Sequence, residues 1–251
     1  MLKRLFSPRR ESDAAPAVPP GRRVYAVGDI HGRSDLLDAA LHRIADDDGA
    51  REAAETTLIF LGDLVDRGPD SAGVVERLLR LAHTDVDTRF LLGNHEEVFL
   101  LALSGDPRAV RLFCRIGGRE TLLSYGLRPA EYEALNYEEV AERLTALVPP
   151  AHREFLAAFE QLIELGDYAF VHAGVRPGVP FSEQSAEDLR WIREPFLDHR
   201  GTLEKVVIHG HTIRSEVEFR RHRIGIDTGG YATGRLSVLG LQGEERWILP
   251  S

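Results

Sequence analysis

Short apolar runs alternate with longer segments of helical spacing in the first hundred residues. The runs cover residues 24–27, 58–61 and 90–92, and each is followed at once by glycine and polar residues. Between them, over residues 34–44 and 69–82, apolar positions recur three and four residues apart, which is typical of an amphipathic helix. Strands that alternate with helices predict a parallel sheet of βαβ units.

Residues 105–166 depart from this alternation and read as a helical insertion. Helices are predicted over residues 107–115, 119–124, 137–147 and 152–165, with breaks at glycine and proline pairs. An insertion of this size between two strands can cover one side of a cleft or pack against the sheet. Both roles are open.

Strand patterns dominate from residue 168 onward. They predict strands over residues 168–171, 205–208, 217–220, 223–226, 236–239 and 246–249, punctuated by glycines. No repeat or interdomain linker is evident, so we expect one domain over residues 22–251. Residues 1–21 carry four prolines and few apolar residues, which predicts a flexible N-terminal arm.

The composition is that of a soluble globular protein, with 43% hydrophobic and 28% charged residues. A net charge of −9 disfavours nucleic acid as a partner, because phosphate backbones require clustered Lys and Arg. No apolar stretch approaches the roughly 20 residues that span a bilayer, so no membrane partner is expected. The single cysteine, Cys114, excludes an internal disulfide and favours a cytoplasmic location.

Polar clusters follow each of the three early apolar runs. They are Gly28-Asp29-Ile30-His31-Gly32, Gly62-Asp63-Leu64-Val65-Asp66-Arg67-Gly68 and Gly93-Asn94-His95-Glu96. Their spacing of 34 and 31 residues is close to that of a βαβ unit. Successive loops of this kind meet at the carboxyl edge of a parallel sheet, where open α/β sheets bind ligands. Carboxylate, imidazole and amide groups converging there suit divalent metals and hydrolytic chemistry.

The order of these motifs resembles that of the calcineurin-like metallophosphoesterases, and within them the bacterial phosphoprotein phosphatases of the PPP family. Later segments extend the resemblance over residues 24–240. They are Val171-His172-Ala173-Gly174, Trp191-Ile192-Arg193, Gly210-His211-Thr212 and Gly225-Ile226-Asp227-Thr228-Gly229. The resemblance implies an α/β fold, a four-layer α/β/β/α sandwich of two mixed sheets flanked by helices.

The resemblance also implies a centre of two divalent metal ions. Asp29 and His31 would hold the first ion, Asp63 would bridge the two, and the second would be completed by Asn94, His172 and His211. Mn²⁺ is the expected ion, although histidine and carboxylate ligands also accept Fe, Zn or Co. His209 is an alternative ligand to His211. We favour His211 because the ligand in this family directly precedes Thr.

Two divalent ions against the carboxylates of Asp29 and Asp63 would leave two positive charges to attract a phosphate group. A water shared by the ions would supply a hydroxide for direct attack on phosphorus. By resemblance, His95 is the general acid and Asp66 its orienting partner. Arg67 and Arg193 match phosphate-clamping arginines.

Leu92 occupies a position where several relatives carry a further phosphate-binding arginine. The strength and shape of phosphate binding are therefore open.

We interpret the chain as a metal-dependent protein-serine/threonine phosphatase. The basis is the segment Gly117-Gly118-x-x-Thr121-Leu122 together with Trp191-Ile192-Arg193. Its partner would be a phosphoprotein or a phosphorylated small molecule. The alternative is a symmetrical dinucleoside polyphosphate hydrolase, which shares the core motifs. A non-catalytic phosphoprotein-binding scaffold and a sequence-independent nuclease fit less well, because every expected ligand is present and the net charge is negative.

Overall fold

The computed structural model describes residues 15–250. Residues 1–14 of the predicted flexible arm lie outside the described residues. Residues 15–21 pack against the body of the protein: Val18 is buried, and its backbone N–H donates to the carbonyl oxygen of Gly243 at 3.0 Å. The Tyr168 hydroxyl donates to the carbonyl oxygen of Pro16 at 2.9 Å. The prediction that structure begins at residue 22 is therefore wrong, because Val18 adds an apolar side chain to the core between the sheets.

Two mixed five-stranded sheets form the centre of the fold, as predicted. The first consists of β1 (Arg22–Val27), β2 (Glu55–Phe60), β3 (Asp87–Phe90), β9 (Val238–Gln242) and β10 (Glu245–Ile248), in the order β10-β9-β1-β2-β3. The second consists of β4 (Ile163–Leu165), β5 (Tyr168–Phe170), β6 (Val206–His209), β7 (Glu218–Phe219) and β8 (Arg223–Gly225), in the order β4-β5-β6-β8-β7. Strands β1, β2 and β3 run parallel to one another, as do β5, β6 and β8.

Helices flank the sheets and fill the long connections. They are α1 (Ser34–Ala50), α2 (Ser71–Leu81), α3 (Asn94–Leu103), α4 (Pro107–Ile116), α5 (Gly118–Ser124), α6 (Pro129–Tyr132), α7 (Tyr137–Leu147), α8 (Pro150–Ala157), α9 (Ala186–Trp191) and α10 (Gly230–Thr233). A short 3₁₀ helix covers Phe181–Glu183. Within residues 15–250, none of these helices is both long and apolar enough to cross a membrane.

The layers follow from the alternation of side chains along each strand. In β1, Val24 and Ala26 pack between the two sheets, whereas Tyr25 and Val27 join the core beneath the helices. In β6, Ile208 faces the space between the sheets and Val207 faces a third core on the outer side of the second sheet. This is the α/β/β/α arrangement that the family resemblance implies.

The insertion shares the core beneath the helices and is not a separate unit. Val110, Phe113 and Leu144 of the insertion are buried in the same cluster as Val98 and Phe99 of α3. Of the two open roles, packing against the body of the fold is therefore confirmed. The insertion also contacts the candidate site, because Thr121 of α5 hydrogen-bonds to Asp66.

Three predicted elements are wrong in their bounds. The strand predicted over residues 236–239 is observed as Val238–Gln242. The helix predicted over residues 152–165 ends at Ala157, and Ile163–Leu165 forms a strand antiparallel to β5. Ile163 is fully buried between the sheets, so tertiary packing overrides the local helical spacing there. The run at residues 90–92 lies at the end of β3, whose ladder with β2 is formed by the more polar Asp87–Phe90.

Candidate active site

The polar clusters predicted from the sequence meet at the carboxyl ends of the parallel strands. Asp29 and His31 follow β1, Asp63 follows β2, and Asn94 begins the helix after β3. His172 and His211 follow β5 and β6 of the second sheet. These side chains are buried, except for half-buried His211.

Asp63 lies between two groups of imidazoles. One carboxylate oxygen, Oδ2, lies 3.5 Å from Nε2 of His31 and 3.9 Å from Nε2 of His95. The other, Oδ1, lies 3.4 Å from Nε2 of His172. His211 joins Asp63 and His172 in the second group. Both groups are compact enough to hold a metal ion, and Asp63 belongs to each.

The donor atoms of the second group suit a cation. Nδ1 of His172 lies 2.7 Å from the carbonyl oxygen of Leu61, which places the proton of a neutral ring on Nδ1. Nε2 then directs its lone pair at Oδ1 of Asn94, 2.9 Å away. Nδ1 of His211 lies 2.8 Å from the same oxygen. A shared cation would satisfy these acceptors together, in the way that backbone-anchored histidines bind metals.

The first group has the same backbone anchoring. Nδ1 of His31 lies 2.8 Å from the carbonyl oxygen of Val65, so Nε2 of the neutral ring faces Asp63. Burial lowers the pKa of His31 to about 3 and that of His211 to about 3. Both imidazoles are therefore neutral at pH 7, which is the form that binds a metal.

Asp29 lies outside both groups, next to an acid that the sequence interpretation missed. The Asp29 carboxylate accepts the backbone N–H of His211 at 3.0 Å, and the Asp227 carboxylate lies close enough to raise the pKa of Asp29. Burial raises the pKa of both Asp29 and Asp227, and nearby carboxylates raise them further. Asp227 lies in a segment that the sequence singles out, but without a role. An ionised Asp227 would reduce the charge excess of the loaded centre from two to one.

Backbone strain concentrates at this site. Among the described residues, the non-glycine positions with positive φ are His31, Asp63, Asp66, Arg67 and His211. Left-handed conformations of this kind cost on the order of 1–3 kcal/mol each and cluster where function requires them.

His95 and Asp66 form a buried hydrogen-bonded pair. Nδ1 of His95 lies 2.7 Å from Oδ2 of Asp66, and the Thr121 hydroxyl donates to Oδ1 of Asp66 at 2.6 Å. Thr121 belongs to α5, so the insertion helps to position this pair. Burial lowers the pKa of His95, but Asp63 and Asp66 outweigh it and the net direction is upward.

The two predicted phosphate-binding arginines lie on different sides of Asp63. Nη2 of Arg67 is 2.9 Å from Nε2 of His95, in the first group. Arg193 donates to the Thr212 hydroxyl at 3.1 Å and reaches towards the carbonyl oxygen of His211, beside the second group. A phosphate group placed against Asp63 would therefore have an arginine on each side.

His209 and Leu92 have packing roles. The His209 ring packs against Phe196 at 5.1 Å, and its Nε2 lies 3.3 Å from Arg223, outside both groups. His211, the favoured alternative, lies with Asp63. Leu92 packs against the core beneath the helices.

Tyr231 of α10 is a second residue that the sequence interpretation missed. The Arg67 guanidinium lies over its ring, 4.9 Å from the centroid, and the His31 ring meets it edge-on at 5.3 Å. No motif in the sequence marks this tyrosine, because its position depends on a turn of the chain about 160 residues beyond Arg67.

Replacing Tyr231 by alanine is expected to raise the KM for a phosphate ester by about 2- to 5-fold with little change in kcat. The reason is that a partly exposed cation–π contact is worth about 0.5–1 kcal/mol. Tyr231→Phe keeps the ring and should restore the KM. Steady-state kinetics of both variants provide the measurement, and an equal defect in Tyr231→Phe would contradict this role for the ring.

Glu96 holds the loop that carries Asp63. Its carboxylate accepts the backbone N–H groups of Asp63 at 2.7 Å, Leu64 at 2.7 Å, Val65 at 3.2 Å and Gly93 at 3.0 Å. Burial raises the pKa of Glu96 to about 7, against the opposite effect of these donors. Its signal in the sequence is its place directly after Asn94-His95.

Replacing Glu96 by alanine is expected to lower the free energy of unfolding by about 2–4 kcal/mol, because four buried donors lose one shared acceptor. Urea denaturation of metal-depleted protein measures the change. Glu97→Ala, on the same helix, is the comparison and should lose less, since Glu97 contacts side chains only. Equal losses would rule out this role.

The chain belongs to the calcineurin-like phosphoesterase family, whose sequence profile matches residues 22–219. This places the protein in a family of metal-dependent phosphoesterases, in agreement with the two groups around Asp63.

Relatives of this chain carry several names. Serine/threonine-protein phosphatase 2 of Escherichia coli K12 is 30% identical over 230 residues, which cover 86% of this chain and 91% of the relative. The symmetrical bis(5'-nucleosyl)-tetraphosphatase of Acidovorax sp. JS42 is 33% identical over 184 residues, covering 73% of this chain. The matched region spans about half of that longer relative, 51% of its length.

Solved structures agree on the fold. A candidate diadenosine tetraphosphatase superposes with a TM-score of 0.64 at 24% identity, covering 95% of this chain and 99% of its own. The cold-active protein-tyrosine phosphatase of Shewanella sp. superposes with a TM-score of 0.55 at 16% identity, covering 93% of this chain and 83% of its own.

Proposed function

We propose that this protein is a dinuclear metal-dependent phosphatase that hydrolyses phosphoserine and phosphothreonine monoesters. The observation that carries the proposal is the Asp63 carboxylate, which faces His31 and His95 through one oxygen and His172 through the other, while Asp66 hydrogen-bonds to His95. Asp63, His31 and Asp29 would hold one divalent ion. Asp63, Asn94, His172 and His211 would hold the other. Two such ions would supply a water of lowered pKa as the nucleophile and would neutralise charge on the phosphate oxygens.

His95 would donate the proton to the leaving oxygen. Asp66 and Asp63 raise its pKa despite burial, so the protonated ring persists to higher pH. The contact between Arg67 and Nε2 of His95 requires a lone pair on that nitrogen, because guanidinium groups only donate. A substrate phosphate that draws Arg67 away would free Nε2 to carry the proton. Arg67 therefore links phosphate binding to activation of the acid.

The rim of the site supports a protein-borne substrate. Trp191 and Ile213 are exposed, and the Trp191 ring lies 6.5 Å from that of His211. Nε1 of Trp191 donates to Glu97 at 2.6 Å, which fixes the indole at the entrance. An exposed aromatic in a fixed position can contact the polypeptide that carries a phosphoserine. The phosphatase 2 relative, which matches over most of both chains, supports the same class.

A dinucleoside tetraphosphate is the second candidate substrate, supported by the tetraphosphatase relative. Such a substrate carries further phosphates and bases away from the cleaved bond. It would need contacts beyond the two imidazole groups.

A substrate comparison on manganese-loaded protein tests the proposal. We expect release of phosphate from phosphoserine and phosphothreonine peptides, with a higher kcat/KM than for diadenosine tetraphosphate. Faster cleavage of the tetraphosphate would overturn the protein-phosphatase assignment in favour of the second candidate. No turnover of either substrate by protein that has bound two metal ions would refute both.

A further inference from the structure

A cavity of about 420 Å³ lies on the outer side of the second sheet, between the β7–β8 hairpin and residues 194–200. Its lining has five arginines, two histidines and three acidic residues. The guanidinium groups thus exceed the carboxylates by two, on a chain whose net charge is −9. None of the predicted metal ligands lines this cavity.

Two of these arginines are held in place and two are not. Glu218 accepts hydrogen bonds from Arg220 at 2.6 Å and pairs with Arg223 at 2.6 Å. The guanidinium groups of Arg200 and Arg214 are exposed and form no hydrogen bond or ion pair with any residue in the range 15–250. Cations that face a cavity without a carboxylate partner are available to an anion.

His222 supplies a buried polar atom without a partner. Its side chain is nearly enclosed, the residue being 7% exposed, and within residues 15–250 its Nε2 has no hydrogen-bond partner. Within the same residues, the buried Nε of Arg223 also has no hydrogen-bond partner. The His199 ring meets that of His222 edge-on at 5.3 Å. Unsatisfied buried groups cost free energy, which a bound acceptor would recover.

We propose that this cavity is a second anion site that binds a phosphate-bearing ligand. Guanidinium forks match the oxygens of phosphate, and the imidazole of His222 adds an N–H donor from the buried wall. Arg200 and Arg214 close on the anion from the open side. Anion binding by these groups does not require hydrolysis at the candidate active site.

The cavity adjoins the candidate active site. The backbone N–H of Arg214 donates to the carbonyl oxygen of Asp227 at 3.0 Å, and Glu194 of the lining directly follows Arg193. The phosphate can therefore come from two sources. It is either a distal phosphate of the substrate or a separate phosphate ligand.

Binding of inorganic pyrophosphate to metal-depleted, full-length protein tests the site by isothermal titration calorimetry. We expect saturable binding that weakens at least about tenfold in Arg200→Ala/Arg214→Ala, because two charge-assisted contacts are lost. The His222→Phe variant, which replaces the imidazole by an apolar ring, should also bind more weakly. Arg108→Ala/Arg143→Ala removes the same charge from exposed positions of α4 and α7 and should bind like the wild type.

Absence of saturable binding in the wild type, or equal affinity in the Arg200→Ala/Arg214→Ala variant, overturns the proposal. Thermal denaturation checks that the variants are folded. The two sources are separated by kinetics on metal-loaded enzyme with p-nitrophenyl phosphate and diadenosine tetraphosphate. A KM that rises only for the longer substrate assigns the site to a distal phosphate. Unchanged kinetics with both, together with weakened pyrophosphate binding, assign it to a separate ligand.

Discussion

Replacing Asp63 by alanine is expected to abolish tight binding of both divalent ions and to reduce phosphatase activity to background. The carboxylate faces His31 and His95 through one oxygen and His172 through the other. Its loss removes a charged donor from both groups at once. Elemental analysis after dialysis against Mn²⁺ measures the first effect, and phosphate release measures the second.

Asp46→Ala, an exposed change in α1, is the matched control and should keep both ions. A thermal denaturation series separates lost binding from lost folding. Wild-type protein should gain stability with added Mn²⁺ by mass action, whereas the Asp63 variant should not. Two ions retained by Asp63→Ala would contradict its place between the groups.

Replacing His95 by asparagine is expected to reduce kcat by about 10²- to 10⁴-fold, which is the usual contribution of a general acid. The loss should be larger for an alkyl phosphate than for p-nitrophenyl phosphate, whose leaving group needs less protonation. Both ions should remain bound. Because His95 also lies within reach of Asp63, loss of an ion in this variant would mark it as a ligand instead.

The Asp66→Asn variant tests the role of His95 as the general acid through the pH dependence of kcat. Asp66 helps to raise the pKa of His95, so its removal lowers that pKa. The protonated ring is then lost at a lower pH, and the basic limb of the kcat profile should shift towards acid. His83→Asn, an exposed histidine outside the site, should leave the profile unchanged. An unshifted limb in Asp66→Asn would exclude this pairing as the source of the raised pKa.

The sequence predicts the fold well where local periodicity and tertiary packing agree. The bounds of α7 are those predicted. The apolar face that its sequence pattern defines is also the face that packs against the core beneath the helices. The region after Ala157 was not predictable in this way. Ile163 is buried by pairing with β5 and by the other sheet, and no local pattern encodes these partners.

Some residues of the candidate site are predictable from the sequence, and others are not. Asp29, Asp63 and Asn94 are visible in the sequence, because each lies a few residues after one of the three parallel strands of the first sheet. Asp227 and Tyr231 reach the site from the C-terminal part of the chain, and only the three-dimensional arrangement brings them to Asp29 and Arg67. Glu96 was visible as part of a motif, but only the structure shows that its carboxylate accepts hydrogen bonds from the Asp63 loop.

The residues with left-handed backbone around Asp63 link the stability of the whole protein to its active site. Conformations that cost energy are retained at His31, Asp66 and Arg67, where glycine would relieve them but could not contribute a side chain. Selection for higher stability is therefore constrained at these active-site residues. Thermostable variants should accumulate their changes in the helices and outer strands, and leave these loops as they are.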